Sequence, residues 1–282
     1  MKEHRGRNKK MDIKMLGSGT AHGVPAAGCE CDNCTSIYAN NDITRTNASI
    51  YLEPGKILVD AGPYVGQQML RNSVHTINNV VLTHQDIDHT AGLFMMEPQG
   101  RYQKCGERTL DLYAPLDTIE FIKNAFSFLV RGEFQTIDHV VKKPTLNPIR
   151  LNDRETINVD EMSITPIRVV HRPYCETFGY VSNDGLSKLA YFPDIESFEE
   201  GKFIEESEIP QEARGADVMI IGAVSNKRQG KGHCSWQEAI EVGQRAGAKK
   251  VILTHLGHRA NIDPTKLPRN TFIGYDGMEI GE

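Results

Sequence analysis

Short apolar runs recur along the chain, and their spacing separates strands from helices. Met11-Asp12-Ile13-Lys14-Met15-Leu16 alternates apolar and polar side chains, which predicts a first strand running into the turn Gly17-Ser18-Gly19-Thr20. Thr46 to Leu52 and Lys56 to Asp60 flank Glu53-Pro54-Gly55 and predict a hairpin, after which Asp60-Ala61-Gly62 turns toward a helix. The runs Val80 to Leu82, Ile164 to Val170, Leu189 to Pro193, Ala216 to Ile221 and Val251 to Thr254 are apolar, β-branched or aromatic and predict buried strands. Ile119, Ile122, Phe126 and Leu129 step by three and four, so an amphipathic helix is predicted from the start signal Asp117/Glu120 to about Val130. A second helix follows the capping box Ser235/Glu238, keeps Trp236, Ala239, Ile240 and Gly243 on one face, and stops at Gly247. Between Arg131 and Asp160 the one short run is Thr136 to Val141, in which His139 reads as a surface residue of an alternating strand.

Composition narrows this picture. At 282 residues and 39% hydrophobic the chain can bury a substantial core, and residues 11–282 read as a single domain behind a flexible polar, basic tail over residues 1–10. That tail lacks the apolar stretch of a signal peptide and no run approaches a membrane span, so a cytoplasmic protein with no membrane partner is expected. A formal charge of -5 and a pI near 6.1 argue against a broad nucleic-acid surface. They leave room for a local positive site, made by metal ions, that takes a small anionic substrate, and they leave a homodimer open.

The chemistry sits where the apolar runs end. Thr83-His84-Gln85-Asp86-Ile87-Asp88-His89 puts four metal-binding side chains into six residues directly after Val80-Val81-Leu82. Carboxylates and imidazoles grouped in a dry place are costly unless something binds them, and a metal does so. Each later run delivers one more such group: His171 after Val170, Asp194 after Pro193, and His255 after Thr254. Separately, Cys29-Glu30-Cys31-Asp32-Asn33-Cys34 offers three soft ligands spaced for one metal, and a structural zinc needs a fourth, which His258 can supply. Cys105, Cys175 and Cys234 are scattered and read as small buried thiols. His233 lies just ahead of a helix N-terminus, where an anion is favoured and a histidine can both hold a phosphate oxygen and exchange a proton with it. Arg45, Arg172 and Arg259 lie near these segments and are candidates to hold a second phosphate, while His22 is left outside the ligand set. The glycine-rich turn after the first strand lacks the spacing of a nucleotide cradle.

His84-X-Asp86-X-Asp88-His89 resembles the His-X-His-X-Asp-His signature of the metallo-β-lactamase superfamily, with Asp86 standing where that family has its second histidine. The resemblance implies an αβ/βα four-layer sandwich of two mixed sheets with helices outside. It also implies two divalent ions, one held by His84, Asp86 and His171, the other by Asp88, His89 and His255, with Asp194 bridging and Asp60 bracing the ligand loop. Gly28-Cys29-X-Cys31-X-X-Cys34, Thr177-Phe178-Gly179-Tyr180, Thr254-His255-Leu256-Gly257-His258 and Tyr275-Asp276-Gly277-Met278 extend the likeness over nearly the whole chain. These segments are similar to the phosphoribosyl cyclic phosphodiesterase family of the carbon-phosphorus lyase pathway, which carries an accessory structural zinc. This likeness implies a metal-dependent phosphodiesterase acting on a small cyclic or nucleotide-like phosphodiester through a two-metal-bound hydroxide. It makes Asp88 and His233 the catalytic residues, with His233 protonating the departing alkoxide. Asp86 makes the first ion set harder, so manganese or iron competes there with zinc. Ile87-Asp88-His89-Thr90 is also similar to the B protein of pyrroloquinoline quinone biosynthesis, which implies an iron-dependent oxygenase as the alternative. A non-catalytic metal-binding protein is a third reading.

Overall fold

Runs that are apolar at every position become strands buried on both faces, because each face meets a different core. The computed structural model describes residues 10–40, 44–102, 108–131, 134–135, 140–141, 143–227 and 232–281. Its strands run, in chain order, β1 (Asp12–Gly17), β2 (Ser49–Glu53), β3 (Ile57–Val59), β4 (Asn79–Val81), β5 (Leu110–Ala114), β6 (Phe134–Gln135), β7 (Val140–Val141) and β8 (Leu146–Arg150). They continue with β9 (Ile157–Val159), β10 (Met162–Val169), β11 (Thr177–Asn183), β12 (Lys188–Phe192), β13 (Val218–Gly222), β14 (Lys250–Thr254), β15 (Thr271–Ile273) and β16 (Met278–Ile280). One seven-stranded sheet has the order β16-β1-β2-β3-β4-β5-β8 and the other β15-β14-β13-β12-β11-β10-β9, while β6 and β7 pair by themselves.

Both large sheets are mixed. In the first, β3-β4-β5-β8 pair in parallel and the remaining neighbours are antiparallel. In the second, β12-β13-β14-β15 are parallel and β9 to β12 antiparallel. Period two then assigns side chains to layers. Ile57, Val59 and Val81 meet Phe178, Ile220 and Ile252 in a core between the sheets. Leu58, Val80 and Leu82 point the other way, into a core that the helices Val65–Arg71 and Leu116–Ala125 cover. Met219, Ile221, Val251 and Leu253 do the same on the second sheet, under the helix Trp236–Arg245. Three cores between four layers give the αβ/βα sandwich that the strand and helix pattern implies. Among the described residues no helix is long and apolar enough to cross a membrane.

The predicted hairpin is β2 and β3, and Ser235/Glu238 form a reciprocal capping box, the Ser235 side chain accepting from Glu238 N and the Glu238 side chain from Ser235 N. The predicted helix from Asp117 to Val130 is instead two, Leu116–Ala125 and Ser127–Arg131, broken at Phe126 (φ -122°, ψ 39°). The break turns the Phe126 ring edge-on against Phe121 and still delivers Leu129 to the core, so packing overrides a pattern that a straight helix also satisfies. Asp117 does not cap the helix: Pro115 precedes it, and the Asp117 carboxylate accepts the Glu176 N–H at 3.0 Å. Residues 1–9 of the tail, His139 with the rest of 136–139, and Cys105 lie outside the described residues.

The two sheets are tied together at the end where the candidate ligands emerge. The Tyr180 hydroxyl donates to Leu82 O, and Phe178 N donates to Thr83 O at 3.0 Å, joining β11 to the segment that leaves β4. Gly62 allows a second backbone approach on that side, since a Cβ there would sit 2.1 Å from Asp88 O.

Candidate metal centre

In open α/β sheets, ligands gather at the carboxyl ends of strands, where loops have freedom and strand ends converge. Here β4 leads to His84, β10 to His171, β12 to Asp194 and β14 to His255, and all four emerge at one mouth between the sheets. The four-residue helix Ile87–Thr90 carries Asp88 and His89, with Asp86 at its start. His89 N donates back to Asp86 O at 2.9 Å, and the Thr90 hydroxyl donates to Asp86 O at 3.0 Å, so backbone bonds fix the spacing of this segment. Asp60 and His255 both take left-handed backbone (φ 64° and 52°), a conformation uncommon outside glycine and found where surrounding structure over-determines it.

Four groups of donor atoms converge: His84 with Asp86 and His171, Asp88 with His89 and His255, His84 with His89 and Asp194, and His171 with Asp194 and His233. In the first, Asp86 Oδ2 lies 3.6 Å from His84 Nε2 and 3.7 Å from His171 Nε2. In the second, Asp88 Oδ2 lies 3.2 Å from His89 Nε2 and 3.4 Å from His255 Nε2. Asp194 reaches both, with Oδ2 2.9 Å from His89 Nε2, and Oδ1 3.4 Å from His255 Nε2 and 3.9 Å from His171 Nε2. Donors at about 2.0–2.2 Å from a tetrahedral ion lie roughly 3.3–3.6 Å from one another, so these spacings fit one ion per set. The buried atoms His84 Nε2, His89 Nε2 and Asp194 Oδ2 lack a hydrogen-bond partner among the described residues, as ligand atoms would.

In His84, His89 and His171 the opposite ring nitrogen is held by the protein, which turns Nε2 inward. His89 Nδ1 is 2.9 Å from Asp60 Oδ2, and Asp60 Oδ1 also accepts from Thr83 N and Oγ1. His171 Nδ1 donates to Gly232 O at 2.6 Å, and His84 Nδ1 is 2.9 Å from Thr83 Oγ1. Asp60 is therefore a brace and not a member of either donor set. The charges of the buried groups are set by one another. Burial opposes the carboxylate of Asp194, yet His255 and His89 hold it well below the usual carboxylate range. Burial likewise opposes ionisation of Asp88, and His89 and His255 outweigh it. His89 is driven up against burial by Asp88, Asp60 and Asp194, whereas burial and the neighbouring His89 push His84 down.

The beta-lactamase superfamily domain matches residues 56–256, more than half of the chain, and spans His84, Asp86, Asp88, His89, His171, Asp194 and His255. The chain belongs to the metallo-β-lactamase superfamily. An octanoyltransferase of Porphyromonas gingivalis is 27% identical over 269 residues, which are 94% of this chain but 50% of that protein, so the chain spans half the length of that relative. Ribonuclease BN of Cronobacter sakazakii is 24% identical over 296 residues, 88% of this chain and 90% of its own. Among solved structures, a diphosphatase from the PhnP family superposes with a TM-score of 0.78 at 24% identity over 97% of this chain and 98% of that one. The superfamily implies divalent metal ions, and the donor sets fit them.

A second cluster is built from separate segments. Cys29, Cys31 and Cys34 flank the start of the helix Asp32–Ala39, and His258 comes from beyond β14. His258 Nδ1 lies 3.2 Å from Cys29 Sγ and 3.4 Å from Cys31 Sγ and Cys34 Sγ. Tetrahedral zinc with sulfur at about 2.3 Å and nitrogen at about 2.0 Å separates those atoms by roughly 3.5 Å, so the four side chains fit a closed zinc site. Hydrogen bonds from Cys34 N and His258 bring the Cys31 thiol down to about 6, while burial pushes Cys34 up to about 11. The remaining described cysteines, Cys175 and Cys234, are buried.

A cavity of about 290 Å³ opens over the centre, lined by Asp86, Asp88, His171, Asp194, His233 and His255 together with Arg172, Arg259, His22 and Ser225. His233 Nδ1 is 3.3 Å from Asp194 Oδ1, and burial pushes this imidazole down to about 3. His22 is exposed on the rim and belongs to none of the donor groups. Arg45 is a correction. Its guanidinium donates to Ser18 Oγ at 2.7 Å and to Gly274 O, beside the half-buried Asp276, and it is not among the cavity-lining residues. Sequence reading missed Tyr174, whose hydroxyl donates to Asp86 Oδ1 at 3.4 Å, and the Gly232 carbonyl that orients His171. It also missed Val224 and Ser225, which carry the end of β13 into the cavity wall although that strand delivers no ligand. Only for Tyr174 did a signal exist, its place three residues after His171.

Proposed function

We propose that this chain is a metal-dependent hydrolase of small phosphodiesters, with one ion held by His84, Asp86 and His171, the other by Asp88, His89 and His255, and Asp194 shared. The observation that carries this reading is Asp194, a buried carboxylate that lies against imidazoles of both sets, His89 and His255 of one and His171 of the other. Two divalent ions so held supply Lewis acidity and acidify water toward neutral pH. The protein's own part is to hold charge and geometry. Asp60, Thr83 and Gly232 fix the imidazole orientations, so little reorganisation is needed when charge develops on a substrate. His233, beside Asp194 and on the cavity wall, is the candidate to pass a proton to the leaving oxygen. The oxygen donor Asp86 in place of an imidazole admits manganese or iron beside zinc, and Cys29, Cys31, Cys34 and His258 hold a separate structural zinc.

A cavity of about 290 Å³ suits a small ligand. The likeness to a ribonuclease supports a phosphorus-oxygen bond as the target, and the net charge of -5 favours a cyclic or nucleotide-like diester over long RNA. The test pairs metal analysis of protein purified without added metal with an activity panel of bis(p-nitrophenyl) phosphate and cyclic phosphates, run with and without oxygen. Diester turnover that needs bound metal and is indifferent to oxygen is expected. Oxygen uptake without diester turnover would replace this reading by an oxygenase, and bound metal with neither activity would leave a binding protein.

A further inference from the structure

Asp86 adds a negative charge to the centre. Asp86, Asp88 and Asp194 are three carboxylates, where an imidazole at position 86 leaves two. A carboxylate that binds an ion through one oxygen depends on the groups around it to hold it in place. A cation stands beside this one. Arg172 Nε is 3.7 Å from Asp86 Oδ2, is buried, and has no hydrogen-bond acceptor among the described residues. Arg172 Nη1 lies close against Gly232, within 3.5 Å of where a Cβ would be, so the guanidinium is wedged between Asp86 and the residue whose carbonyl orients His171. On the other carboxylate oxygen, Oδ1 accepts from the Tyr174 hydroxyl at 3.4 Å. The stretch His171-Arg172-Pro173-Tyr174 thus brings a candidate ligand, a cation and a hydroxyl onto one side chain. A carboxylate has the second oxygen that this arrangement needs, and an imidazole bound through one nitrogen has no acceptor left to offer.

We propose that Arg172 and Tyr174 are positioning residues for Asp86: Arg172 beside Oδ2 and Tyr174 on Oδ1 hold the carboxylate in the orientation that binds an ion, and the pair sets the affinity of the first ion set. This assigns Arg172 to the metal centre and not to a second phosphate of the substrate, and it rests on the reading that Asp86 binds an ion. The experiment is calorimetric titration of chelator-stripped full-length protein with manganese chloride and with zinc chloride, together with ion counts after dialysis. Arg172→Met is expected to weaken one of the two centre ions by about 10- to 100-fold, the usual range for groups that orient a ligand. Arg172→Lys recovers most of that loss, and Tyr174→Phe loses a smaller part. In an Asp86→His background, Arg172→Met changes ion affinity by less than about threefold, because the carboxylate that it serves is gone.

Equal losses in both backgrounds would show that Arg172 supports the loop generally and would overturn the proposal. So would wild-type ion binding in Arg172→Met with only a raised KM, the mark of a substrate anchor. Asp86→Ala separates the two levels: if it retains both ions, the ligand reading of Asp86 falls. If Asp86→Ala loses one ion while Arg172→Met binds both normally, the positioning role alone falls. Far-ultraviolet circular dichroism of each variant confirms that the ion counts refer to folded protein.

Discussion

His233 sits 3.3 Å from Asp194 Oδ1, the same oxygen that His255 and His171 approach. Burial, with His255, His171 and Arg172 nearby, pushes it down to about 3, although Asp194 pulls the other way. An unfolded histidine takes up a proton near pH 6.5, which the folded chain refuses until about pH 3. The stability this residue contributes is therefore whole above about pH 6.5 and is lost as pH falls toward 3. His84, also pushed down by burial, adds in the same sense, and the raised His89 opposes. In chelator-stripped protein the melting temperature should fall between pH 7.5 and pH 5, and His233→Gln should flatten that fall; parallel curves for the two proteins would remove His233 as a source. For catalysis, His233→Gln should lower kcat by about 10²- to 10⁴-fold on a cyclic alkyl phosphate and far less on bis(p-nitrophenyl) phosphate, whose leaving group needs no proton. Equal losses on both substrates would argue for a role other than proton donor.

Thr254-His255-Leu256-Gly257-His258 serves two centres from one short segment. His255 faces Asp88 and Asp194, His258 faces the three cysteines, and Leu256 N donates to Ser18 O at 2.8 Å between them. The cysteine segment has little apolar surface of its own: of the helix Asp32–Ala39 only Cys34 is buried. A metal bound there would fix it, since metal-binding free energy is also folding free energy. Cys31→Ser is expected to remove one zinc per chain and to lower the melting temperature by more than about 5 °C, since each kcal/mol is worth roughly 2–4 °C in a chain of this size. An unchanged zinc count with an unchanged melting temperature would contradict a structural zinc here.

Across the whole molecule, the position of the centre depends on how the two sheets are held at one end. Tyr180 and Phe178 of β11 bond to the carbonyls of Leu82 and Thr83, immediately before His84. Tyr180→Phe removes the hydroxyl and leaves a buried carbonyl without its donor, a loss of about 1–3 kcal/mol. The melting temperature should drop by roughly 2–12 °C, with weaker ion binding at the His84 set because that strand end loses a tether. A melting temperature within about 1 °C of wild type would show that the tether does not bear on stability.

Much of this was legible in sequence because its causes are local. Period two along β3, β4, β13 and β14, the capping box at Ser235, and metal-binding side chains at the ends of apolar runs are set by residues within one or two turns of each other. The structure brings together His84, Asp86, Asp88, His89, His171, Asp194 and His255, as strand ends on one mouth must. Side-chain direction was not local. Arg45 and Arg172 both adjoin site segments, yet one bonds to Gly274, 229 residues away, and the other packs over Asp86. The helix after Pro115 broke at Phe126 because an aromatic contact within the outer layer outweighed an unbroken helical pattern. Sequence order fixes which groups leave each strand; only the packing of two sheets and their loops decides where a long side chain finds its partner.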